Sequence, residues 1–121
     1  MHSRDDDQRL TYRFATAADI VRFYGEPQRQ TTRAVIVLLD DEPVGIVGIA
    51  HEGRAAKLFS ESKPELQPHM RRFPVLRAIK QAMRIVRECG RQVYAVREEG
   101  TDTLERLGFV PVTEEVYLWP G

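Results

Sequence analysis

Residues 34–39, Ala-Val-Ile-Val-Leu-Leu, form an unbroken apolar run that ends on Asp40-Asp41-Glu42-Pro43, and the chain turns apolar again from Val44 to Ala50. A short β-branched run bounded by turn residues reads as a buried strand, and two such runs across an acidic turn read as a hairpin. Gly45 and Gly48 inside the second run predict a bulge or a close backbone approach. A buried hairpin needs further layers on its faces, so the flanking segments must supply them.

They supply both helices and strands. Leu10 to Phe14 alternates as a short strand. Thr16 then stands as an N-cap before Ala17, Ala18 and Asp19, with Ile20, Phe23 and Tyr24 at helical spacing and Gly25 and Pro27 as the stop. After Glu52-Gly53-Arg54, residues Ala55 to Lys63 give a third antiparallel strand. A long helix is expected over residues 72–89, with Pro74 in its first turn and Gly90 past its end. One of its faces holds Val75, Leu76, Ile79, Met83 and Val86, and the other holds Arg77, Lys80, Arg84 and Arg87. Gln92 to Val96 reads as a strand. Thr101 caps a short helix through Leu107, closed by Gly108, and Phe109 to Val112 and Val116 to Trp119 complete the strands. The expected class is α+β: a mixed, mostly antiparallel sheet with a strand–helix–strand crossover. The 121 residues fit one domain, here 10–121, preceded by a flexible tail at 1–9 rich in aspartate.

Composition removes several classes of function. Formal net charge is zero, which gives no general attraction to nucleic acid or anionic membrane. Cys89 is the sole cysteine, so no intrachain disulfide forms. Without an apolar signal core or a run of about 20 apolar residues, the expected compartment is the cytoplasm. His51-Glu52 and His69 lack a second ligand at metal-site spacing, so no metal is expected, and both histidines are placed at the surface. Arg71, Arg72, Arg77, Lys80, Arg84, Arg87 and Arg91 form a basic cluster on or just before the long helix. Its ordinary reading is a solvated helix face, with Arg71 and Arg72 singled out at the helix entrance.

Three motifs in order carry a family resemblance. Leu104-Glu105-Arg106-Leu107-Gly108-Phe109 resembles the junction of last helix and strand in the GNAT superfamily of acyl-CoA-dependent N-acyltransferases. Tyr12 to Asp19 resembles the opening of that fold, and Asp40 to Gly48 resembles its second hairpin, with Val-Gly-x-x-Gly after an acidic turn. The likeness implies a splay between two parallel strands, where the pantetheine arm of acetyl-CoA or CoA lies against backbone amides, with Ser60 and Ser62 beside it. It implies a pyrophosphate at the N-terminus of the long helix, held by the segment Gln67, His69, Met70, Arg71 and Arg72. Gln67 keeps the family's Arg/Gln position, whereas Met70 and Arg72 replace its two small residues. Leu104 stands where many members carry a tyrosine acid. Glu61 and Tyr94, on the strands flanking the expected thioester, are then the candidates for proton transfer. The implied activity is N-acetylation of a small-molecule or protein amine, the acceptor side being open unless a homodimer closes it.

A second class stays open. Phe59-Ser60, Lys63-Pro64-Glu65-Leu66 and the following helix resemble compact GNAT-like proteins of tailed phages and prophages, some of which act in head assembly. On that reading the chain is a non-catalytic assembly or binding protein.

Overall fold

A computed structural model describes residues 9–28, 30–96 and 103–120. In chain order the elements are β1 (Leu10–Phe14), α1 (Ala17–Tyr24), β2 (Thr32–Leu39), β3 (Glu42–Glu52) and β4 (Ala55–Ser62). A 3₁₀ helix (Pro64–His69) follows, then α2 (Phe73–Glu88), β5 (Gln92–Val96), α3 (Thr103–Leu107), β6 (Val110–Pro111) and β7 (Val116–Leu118). Apart from Arg9, the expected tail lies outside the described residues, as do Thr101 and Asp102, the expected start of the short helix.

Local chemistry sets most of these boundaries. The Thr16 hydroxyl accepts from the Asp19 amide at 3.1 Å, and the Asp19 carboxylate accepts from the Thr16 amide at 3.0 Å. This reciprocal cap starts α1, and Gly25 ends it at φ 82°. Asp40 and Asp41 both have positive φ, 50° and 68°, as a two-residue hairpin turn requires. Arg9 holds that turn from outside: its amide donates to the Asp40 carboxylate at 2.9 Å, and its carbonyl accepts from the Asp40 amide at 2.8 Å.

The strands form one seven-stranded sheet in the order β1-β2-β3-β4-β5-β7-β6. Only β4 and β5 pair in parallel among the described strands. The expected bulge falls between Val37 and Leu38, which face Gly45 and Pro43 and leave Val44 extra. Gly48 answers a close approach, since a β-carbon there would lie 2.3 Å from the Arg33 carbonyl oxygen and 2.5 Å from the Ala34 α-carbon.

Two layers cover the sheet. α1 packs Ile20, Phe23 and Tyr24 over Ala34, Ile36, Leu38 and Ile46, with Phe59 at the border. On the opposite face α2 lays Val75, Ala78, Ala82, Met83, Ile85 and Val86 over Val35, Val37 and Ile49. The core face of α2 therefore differs from the expected one. Ala78 and Ala82 are buried, and Leu76 is 47% exposed. Small alanines at the centre of the stripe let the helix sit close to β2, and Leu76, about 100° around from Val75, falls outside it. Phe109 and Tyr117 are buried in this core and Trp119 packs against it, with Phe109 and Trp119 edge to face at 5.3 Å between centroids. No helix among the described residues is long and apolar enough to cross a membrane.

Candidate functional site

The parallel register of β4 and β5 runs from Ala55↔Gln92 to Lys57↔Tyr94 and stops. β4 continues to Ser62, still paired on its other side to β3 as far as Ser62↔Gly45. From Leu58 onward, β4 and β5 therefore diverge. The expected splay is present, and the last paired residue before it on the β5 side is Tyr94.

Alternation sorts the side chains around it. Phe59 joins the layer under α1, so Lys57 and Glu61 share that face, and so does Tyr94, the partner of Lys57. Leu58 joins the opposite layer, which places Ser60 and Ser62 with it on the α2 side. Ser60, Glu61 and Ser62 are exposed.

Glu61 and Tyr94 share a face but do not meet. Glu61 lies four residues beyond the partner of Tyr94, roughly 13 Å further along the strand. Each has its own companion. The Tyr94 hydroxyl donates a short hydrogen bond to Glu52, which also accepts from the Gln30 amide at 3.0 Å. The Tyr94 bond, then Gln30, lowers the Glu52 carboxyl below its ordinary value, and Glu52 in turn raises Tyr94. Beside Glu61 stands Tyr24 from the last turn of α1, whose phenol is pushed well up, first by burial and then by the Glu61 carboxylate. Two residues along the chain, the Lys63 Nζ lies 5.0 Å from the Phe23 ring centroid. In the sequence Glu52 reads as a turn residue and Tyr24 as part of a helix face, neither with a place in the site, and nothing singles out Gln30. The alternation of β4 places Glu61 on the α1 face, but pairing it with Tyr24 requires the packing of α1.

Downstream of the splay, the segment from Pro64 to Arg72 forms the 3₁₀ helix and a turn into α2. Leu66 anchors it, 3% exposed, above Gly45, where a β-carbon would lie 2.7 Å from Leu66 Cδ2. His69 corrects the surface assignment, being 3% exposed. The tight 3₁₀ turn buries it, and Arg72 Nη1 lies 3.1 Å from its Nδ1. Arginine has only donors, so Nδ1 accepts. His51 is also not freely exposed; the residue is half-buried, and its Nδ1 has no partner among the described residues. Gln67, Met70, Arg71 and Arg72 remain exposed at the entrance to α2.

The entrance to α2 differs from a glycine cradle in its backbone as well as its side chains. The Met70 amide donates to the Gln67 carbonyl at 3.4 Å, and the Arg72 amide to the His69 carbonyl at 3.0 Å. Pro64, Pro68 and Pro74 bring no amide at all. Positive charge at this entrance comes from the exposed Arg71 and Arg72 side chains. Leu104, the replacement for the expected tyrosine, packs against the core from α3. Two shallow depressions, of about 230 and 280 Å³, lie elsewhere: one by Tyr12, Phe14 and Gln81, the other by Arg87, Gln92 and Trp119. No cluster of three potential metal ligands occurs among the described residues.

No family model and no curated protein sequence matches the chain. Solved structures do. The ribosomal-protein-S18-alanine N-acetyltransferase from Escherichia coli superposes over 91% of each chain at 11% identity, with a TM-score of 0.56. An acetyltransferase from Streptococcus agalactiae matches over 84% of this chain and 74% of its own, at 17% identity and a TM-score of 0.56. A GNAT-family acetyltransferase from Streptococcus pneumoniae matches over 91% and 96%, at 16% identity and the same TM-score. At these identities the likeness is one of fold, and the fold is the GNAT fold.

Proposed function

We propose that this chain is an acyl-CoA-dependent N-acyltransferase that acetylates an amine. The observation that carries the reading is the end of the β4–β5 pairing at Lys57↔Tyr94, beyond which β4, from Leu58 to Ser62, has no strand partner on that side among the described residues. An extended chain with amides can bond such an edge as an added strand. Ser60 and Ser62 would flank the arm, Gln67 and Met70 would border it, and Arg71 and Arg72 would meet the phosphates by charge. Acyl-CoA, when bound, supplies an activated acyl carbonyl and a thiolate leaving group.

The chain's own residues handle the protons. An amine arrives largely as ammonium and must lose a proton before it can attack. Glu61, exposed on the α1 face of the splay, is the group to take it. Tyr24 stays protonated beside it and can orient the carboxylate. Tyr94 keeps its proton on Glu52 at the point where the strands part. Leu104 cannot donate, so the thiolate leaves without the acid that many GNAT enzymes carry.

The test follows thiol release from acetyl-CoA over a panel of amines. Glu61→Gln should lower kcat by about 10²-fold, the usual worth of a positioned base, with little change in acetyl-CoA affinity. Tyr94→Phe should cost less than about tenfold, because its proton is committed to Glu52. Turnover that survives Glu61→Gln unchanged would refute the assignment.

A second reading draws on the entrance to α2. There the Met70 and Arg72 amides already bond within the loop, and Phe73 stands 74% exposed. These features favour a GNAT-fold protein of the assembly type, which would bind a partner and turn over no thioester. A folded chain that neither binds nor cleaves acetyl-CoA would select it.

A further inference from the structure

Two exposed patches flank the mouth of the splay, and their chemistry is complementary. On one side Met70, Phe73 and Leu76 are 40, 74 and 47% exposed. They adjoin Arg77 and Lys80, which pair with no described residue, at the head of a basic stripe that ends with Arg84 and Arg87. On the other side Val96, Val110 and Val112 are 41, 50 and 59% exposed. The turn after Val112 carries Glu114 and Glu115, both exposed and unpaired among the described residues. Both patches lie at one end of the sheet. β4 and β5 run parallel towards it, β4 delivering the chain to α2 and Val96 pairing with Val116 beside the β6–β7 turn.

We propose that this chain pairs with a second copy of itself, the N-terminal end of α2 in each copy seating on the β6–β7 turn of the other. An acidic partner would use the first patch and leave the second uncovered. An anionic membrane would attract Arg77 and Lys80 but repel Glu114 and Glu115. A second copy satisfies both patches at once, apolar on apolar and basic on acidic. A two-fold axis repeats the contact, so that two modest patches act together towards the roughly 800 Å² per partner of a standard interface. Pro111 keeps the β6 edge from pairing as a strand, so the contact is made by side chains. In such a pair each copy would border the other's splay; that consequence alone rests on the acyltransferase reading.

Charge reversal in a mixing experiment tests the pairing. One variant carries Arg77→Glu and Lys80→Glu, the other Glu114→Lys and Glu115→Lys. All four positions are exposed, and circular dichroism confirms that both variants fold. Sedimentation equilibrium should give the wild type twice its 13.9 kDa chain mass, with association weakening as salt rises. Each variant alone should associate about a hundredfold more weakly, because like charges then face each other twice. An equimolar mixture should recover wild-type association, since both contacts of the heterodimer are again complementary. A monomeric wild type, variants that dimerise normally, or a mixture that stays monomeric would each overturn the proposal. Acetyl-CoA calorimetry on the wild type is a separate readout, so failure of the acyltransferase reading leaves this result intact.

Discussion

Asp19 is 2% exposed, yet it stays charged because three donors converge on it. Arg13 donates from Nη2 at 2.6 Å and Nε at 3.2 Å, and the Thr16 amide adds a third bond at 3.0 Å. Arg13, opposed by burial and aided by Thr16, holds the carboxyl below its ordinary 3.8. The cap could be read from Thr16 and Asp19 alone. Arg13 could not, because it reaches Asp19 only once β1 has paired and turned back into α1. Asp19→Ala should destabilise the protein by about 2–4 kcal/mol, the sum of a cap and charge-assisted bonds. The folded carboxyl titrates below the unfolded one, so its contribution is complete above about pH 4 and is lost as pH falls through the folded value. Urea unfolding from pH 7 to 3 should show that loss in the wild type and a shallower one in Asp19→Ala. Gly48 offers a second test. A β-carbon there meets backbone atoms of Arg33 and Ala34, which cannot swing aside, so Gly48→Ala should cost about 3 kcal/mol in the same assay.

Among the elements, those with strong local signals were legible. β5 spans Gln92–Val96 as expected, and α1 starts and stops where its cap and glycine predict. The 3₁₀ helix was not legible, since Pro64 and Pro68 mask any period and its one buried apolar residue, Leu66, is fixed by space over Gly45. The burial of His69 was lost with it. Leu76 misled because hydropathy weighs leucine above alanine, whereas the seat on the sheet favours small Ala78 and Ala82. The altered entrance to α2 carries its own prediction. If arginine side chains replace amides at the phosphates, Arg71→Ala should weaken acetyl-CoA binding about tenfold and reduce its salt dependence, as loss of a charge-assisted bond does. Met70→Gly should change little, because its amide already bonds Gln67. Calorimetry at two salt concentrations separates these outcomes.

For the whole molecule, the meander β1-β2-β3-β4 follows from short turns between apolar runs, so its order is readable without a structure. The parallel pair follows from the crossover through α2, since only a long connection can return a strand in the same direction. The position of β6 outside β7 needed the coordinates. A two-residue strand with Pro111 holds an edge but not an interior place, and its register with Tyr117 is a tertiary fact. The candidate site was legible to the extent that it lies on strands: Ser60, Glu61 and Ser62 line the splay, while the companions of Glu61 and Tyr94 arrive from α1 and β3. The central claim is that the open β4 edge receives the arm of an acyl-CoA. Backbone amide shifts followed by NMR during titration with acetyl-CoA test it most directly. The account predicts saturable shifts concentrated at Leu58–Ser62, Tyr94–Val96 and the entrance to α2, with the β2–β3 turn at Asp40 and Asp41 unmoved. A folded protein whose β4 amides stay fixed at saturating acetyl-CoA would contradict it.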